Sequence, residues 1–145
     1  MLLSAVLAGA AGATGCGLID EKPAPPPPPD PLAPLIGEAL ALSATYRSAA
    51  AVSDPDLAVR LTAIAADHDA HAREVAQLIA TPLPSAPASG PPPSASATSA
   101  VAALRAAETK AHDTAVAACL AASPGRVALL GSIAACRASH LEALT

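Results

Sequence analysis

Aromatic side chains are almost missing from this 145-residue chain, which has no Trp, no Phe and a single Tyr. A β-sandwich or barrel core draws on aromatic and β-branched residues, so an all-β fold is excluded. The same lack removes the stacking platforms that single-stranded nucleic acids need. Charge is sparse at 14% and sums to −4, which argues against any phosphate-backbone partner. There is no Cys-x-x-Cys, no Gly-rich phosphate loop and no Ser/His/Asp signature. What fills the chain is alanine, 41 residues of it. Alanine has the highest helix propensity, so the expected class is all-α, in one small domain.

The 16 prolines are clustered rather than scattered. Eight lie between Pro23 and Pro34, and six between Pro82 and Pro93. Pro55 and Pro124 stand alone, each after a good N-cap residue, Asp54 and Ser123, where a missing N–H costs nothing. The expected organisation is a signal peptide at 1–15, Cys16 with a Pro-rich tether to 30, and a helical domain at 31–145. Its helices are expected at about 31–52, 55–80, 100–122 and 124–144, as two hairpins joined by a Pro/Ser/Ala linker at 81–99.

Residues 1–15, MLLSAVLAGAAGATG, are apolar and small, too short for a comfortable membrane span. With Ala-Thr-Gly-Cys at their end they resemble a bacterial lipobox. That resemblance implies cleavage before Cys16, lipidation of its thiol and an extracytoplasmic, membrane-anchored protein, the alternative being a secreted one. The following EKPAPPPPPDP would stand off the membrane as polyproline II, at about 3.1 Å per residue.

Each expected helix carries ionisable groups within its apolar face. In the second, Leu57, Leu61, Ile64, His68, His71, Val75 and Leu78 follow a 4-3-4-3-4-3 spacing along one face. Leu35, Leu42 and Tyr46 mark the first helix, with Glu38 on the edge. Val101, Leu104, Val116 and Cys119 mark the third, with Glu108 and His112 inside the face. Leu130, Ile133, Leu141 and Leu144 mark the fourth, around Arg137 and His140. Unpaired buried charge is costly, so these groups are expected to meet. Asp54, Asp56, Asp67, Asp69 and Glu74 read instead as helix starts and solvated faces.

The hairpins repeat one another. LTAIAADHDAH (61–71) aligns with LGSIAACRASH (130–140), and the same offset carries Pro55 to Pro124. With one residue added it carries Glu38 to Glu108. In an antiparallel hairpin, residues equally far from the turn lie side by side. Glu38 then falls level with His68 and His71, and Glu108 with Arg137 and His140. All six share one layer, with His112 about 6 Å nearer the turn.

A Glu on the first and third helices, an i, i+3 pair ending in His on the second and fourth, and a long crossover between hairpins resemble the ferritin-like four-helix arrangement. More narrowly, the chain is similar to small ferritin-like lipoprotein domains of high-GC bacteria. The resemblance implies Glu38, His71, Glu108 and His140 as metal ligands. It also implies Glu at two further positions, which here are His68 and Arg137. Two carboxylates suit no di-iron centre and at most one softer ion, with His68 as a fifth candidate ligand and His112 as a secondary one. Arg137 is expected to pair with Glu38 and Glu108 in place of a cation.

Two readings stay open: a buried ion-pair network in a non-catalytic binding or structural module, or a site for one divalent metal. In the first, the partner is an envelope protein or a small ligand. A remote third is a thiol redox protein using Cys119 and Cys136. Hairpin geometry opposes their pairing: Cys119 falls level with about residue 127, leaving Cys136 about 13 Å further on, where bridged Cα atoms need about 7 Å. Leu129, off the main stripe, suggests a homodimer face.

Overall fold

The computed structural model describes residues 25–85 and 96–145; the expected signal peptide at 1–15, Cys16 and residues 86–95 of the expected linker lie outside them. The described residues are all-α, with four helices and no strand. These are α1 (Ala33–Ala50), α2 (Pro55–Leu78), α3 (Ala97–Ala121) and α4 (Pro124–Ala143).

Three helices start within two residues of the expected positions. Asp54 caps α2, its carboxylate accepting the Leu57 N–H at 3.0 Å, with Pro55 following. Ser123 takes N-cap backbone geometry before Pro124, but its hydroxyl makes no cap bond. The third helix starts three residues earlier than expected. Ser96 caps it by accepting the Ser99 N–H at 3.3 Å, a start hidden in the Ser/Ala run of the linker. At the end of α2, Ala80 has φ 51° and the Thr81 N–H reaches the Ala76 carbonyl at 2.9 Å. This closes a Schellman turn with Ala where Gly is commonest.

α1 packs on α2 and α3 on α4; α1 also neighbours α3, and α2 neighbours α4. The pairs α1–α4 and α2–α3 are therefore the diagonals of the bundle. Asp30 fixes one end: it accepts the Leu32 N–H at 2.9 Å and two bonds from Arg126, at 2.9 and 2.7 Å, at the start of α4. At the other end Arg60, just past the first turn, reaches the Ala143 carbonyl at 3.4 Å. The two hairpin turns thus lie at opposite ends, and α2 ends at the opposite end of the bundle from where α3 begins.

The core comes in two clusters. One gathers Leu32, Leu35, Ile36, Leu40, Val75, Leu130 and Ile133; the other gathers Leu42, Tyr46, Leu61, Ile64, Leu104 and Leu144. Alanines fill the seams of both (Ala39, Ala72, Ala115 in the first; Ala49, Ala65, Ala111 in the second), which lets the backbones approach closely. Such an approach is fixed where the buried Ser43 hydroxyl of α1 donates to the Ala65 carbonyl of α2 at 2.9 Å. Leu129 is partly buried against the first cluster, and Leu120 and Val59 are strongly exposed.

Candidate functional site

A polar layer lies between the two clusters, near the middle of α2 and α3 and toward the C-terminal end of α4. Glu108 is at its centre, fully buried. The Tyr46 hydroxyl reaches its Oε2 at 2.8 Å, His68 Nε2 the same oxygen at 3.0 Å, and His140 Nδ1 its Oε1 at 3.1 Å. Burial alone would push this carboxyl up, but the bonds from His140, His68 and Tyr46 outweigh it and hold it down at about 2. Glu108 is thus ionised at neutral pH and can only accept. All three neighbours must donate, which places hydrogen on His68 Nε2 and on His140 Nδ1.

Arg137 is almost wholly buried, at 1% exposure. Its guanidinium donates to Glu38 Oε1 at 2.6 Å and to the Ala111 carbonyl of α3. Its expected second partner, Glu108, is instead occupied by Tyr46 and the two histidines. The reason is the internal repeat. Glu38 matches Glu108 and His68 matches Arg137, so each diagonal of the bundle carries one Glu with one cation-capable partner. Glu38 is about a quarter exposed and opens onto a shallow groove between α1 and α3, lined by Ala41, Leu42, Thr45, Ala107 and Lys110.

His71 and His140 are repeat mates with different fates. His140 bonds the Glu of its own hairpin, but the Glu38 carboxylate is drawn to Arg137. His71 Nδ1 is buried with no partner, as are His68 Nδ1 and Arg137 Nε. The His71 ring lies 5.8 Å from that of His68 and 6.2 Å from that of His140. Burial, then the proximity of His68, Arg137 and His140, pushes its imidazole down to about 4. Tyr46 shifts strongly upward through burial and the Glu108 charge.

Two groups of side chains bring three potential ligand atoms within 4.8 Å of one another: His68, Glu108 and His140 inside the layer, and Asp67, Cys136 and His140 at its edge. Of the five candidate ligands, His68, Glu108 and His140 converge. Glu38 is held by Arg137, and His71 offers its ring to the layer but belongs to neither group. His112 lies near the surface against Asp113, at 3.3 Å. A di-iron centre does not fit these residues, because one of its two carboxylates is bound to a guanidinium and the other already accepts three hydrogen bonds.

Cys119 and Cys136 are both free thiols. Cys119 Sγ lies 3.7 Å from the Val127 carbonyl, level with the start of α4 as expected, so a Cys119–Cys136 pair is ruled out in this fold. Cys136 belongs instead to the site: its Sγ is 3.3 Å from His140 Nε2. Burial and then the negative charges of Asp67 and Glu108 push this thiol up. Asp67, read from sequence as a solvated face, also reaches His140 Nε2, through Oδ2 at 3.2 Å.

Sequence reasoning missed Tyr46, Asp67 and Cys136 as members of the site. The signals were present: one phenol on an apolar face must find an acceptor, and Asp67 and Cys136 occupy equivalent positions in the repeat. In comparisons with known proteins, no family model, no curated protein and no solved structure matches the chain.

Proposed function

We propose that this chain is a cell-envelope lipoprotein whose four-helix domain is a degenerate relative of the ferritin-like arrangement, working as a non-catalytic binding or structural module. The observation that carries this reading is the diagonal Glu38–Arg137 pair. It puts a fixed cation beside the carboxylate that a metal would need, while Glu108 is already satisfied by three donors. A charge network with each carboxylate partnered holds a bundle together without a metal. The expected result with ferrous iron is no oxidation above the buffer rate. Retention of two irons per chain, or accelerated oxidation, would overturn the reading.

The lipid anchor rests on the sequence alone. Cells fed a clickable fatty-acid analogue should label the chain, and Cys16→Ser should abolish the label and release the protein from the membrane fraction. Equal labelling of parent and variant would remove the anchor from the proposal.

A second reading is favoured by the convergence of His68, Glu108 and His140. A 2-His-1-carboxylate set suits one divalent transition metal or zinc. His68 Nε2 and His140 Nδ1 would have to give up the hydrogens they now donate, and Glu108 the bonds that it accepts. The unpartnered His68 Nδ1 also lacks the outer hydrogen bond that orients most metal-binding histidines.

A further inference from the structure

We infer that Asp67, Cys136 and His140 form a zinc-class metal site at the edge of the polar layer, where α2 meets α4. His140 sets the geometry. Its Nδ1 faces an ionised carboxylate that can only accept, so Nδ1 carries the hydrogen, and in that neutral tautomer Nε2 presents its lone pair to the edge. Around that lone pair stand the Asp67 carboxylate at 3.2 Å and the Cys136 sulfur at 3.3 Å. The thiol can satisfy Nε2 with its one hydrogen, but the carboxylate oxygen then faces a lone pair with nothing between them. A cation at the centre resolves both contacts and brings together three ligand atoms that already lie within 4.8 Å of one another.

The spacing fits. Zinc bonds of about 2.0 Å to nitrogen or oxygen and about 2.3 Å to sulfur, at tetrahedral angles, separate the ligand atoms by about 3.3–3.5 Å. The donor set is a thiolate, an imidazole and a carboxylate, which selects a borderline-soft ion over magnesium or calcium. An oriented outer shell is already built, because Glu108 takes the far N–H of His140 and is itself fixed by Tyr46 and His68. The carboxylate–histidine–metal relay is the usual way in which such ligands are held. Glu74 adds negative charge near the thiol. Entry is open: the Asp67 side chain is 54% exposed. On binding, Cys136 releases its proton to water, and water completes the fourth position. This site rests on the preceding reading in one respect, that Glu108 stays a hydrogen-bond acceptor rather than a ligand.

The test uses the full chain with Cys16→Ser, reduced, and titrated with zinc and then cobalt. One equivalent should bind, and cobalt should give a near-ultraviolet thiolate charge-transfer band. Cys136→Ser should abolish the band and weaken zinc by at least about a hundredfold, and Asp67→Asn by at least about tenfold; Cys119→Ser should retain both. Failure of the parent to bind one equivalent, or a band that survives Cys136→Ser, overturns the edge site and leaves the network reading standing. Binding without a thiolate band, lost in His68→Gln but kept in Cys136→Ser, places the ion inside the layer and overturns both. In a chain that also carries Cys119→Ser the one thiol left is Cys136, so the cobalt band there reports Cys136 ligation even where a further variant fails to fold.

Discussion

Glu108→Leu should cost about 3–5 kcal/mol of unfolding free energy, enough to unfold much of a small domain. The side chain is fully buried and accepts bonds from Tyr46, His68 and His140. Leucine has a similar volume, so no large cavity opens. The cost comes from three donors left in an apolar space, and from an Arg137–Glu38 pair that loses its electrostatic counterpart on the other diagonal. Urea denaturation followed by helical circular dichroism measures it. A loss below about 1 kcal/mol would mean that the layer is wet or rearranges freely, contrary to its burial.

Acid should destabilise the fold well before its carboxylates titrate. The His71 imidazole is held down at about 4 in the folded chain, against 6.5 when free. Between those values the unfolded state binds the proton and the folded state does not, so stability falls as pH drops from 6.5 toward 4. At about 1.4 kcal/mol per unit, the loss approaches about 3 kcal/mol at most. Glu108, held at about 2 against 4.5, adds a second loss beginning below 4.5. Urea midpoints measured across this range should slope downward toward acid. His71→Leu should flatten the upper part of the slope and leave the lower part. A parent profile that is level down to pH 4.5, or a variant with the parent's slope, would show that His71 is hydrated.

Much of this fold was legible because proline and alanine write it so plainly. Alanine supplies helix everywhere that proline does not break it, so two of the four helix starts follow from Pro55 and Pro124. The start of α3 was not legible, since Ser96 caps a turn whose residues match the linker in composition. The layer was legible from hairpin arithmetic, because depth along a helix is set by residue count. Partner choice within it was not. Whether Arg137 chooses Glu38 or Glu108 depends on the phenol of Tyr46, eight residues from Glu38 on the same helix, which settles the competition from the neighbouring side. Asp67 was hidden for another reason: half exposed, it satisfies the pattern of a solvated acid while its tip turns inward to His140.

The division of the core into two apolar clusters has a consequence for alignment. Alanine seams have little relief, and a helix sliding along such a seam by one turn, about 5.4 Å, exchanges one methyl group for another. Packing alone discriminates weakly between these offsets. The layer does not. The same slide would carry Glu108 toward Leu104 and Ala111, and Arg137 toward Ile133 and Ala134, stranding charge in hydrocarbon on two diagonals at once. In a chain with so few large side chains to act as knobs, the central charges are what gives the four helices a single longitudinal setting.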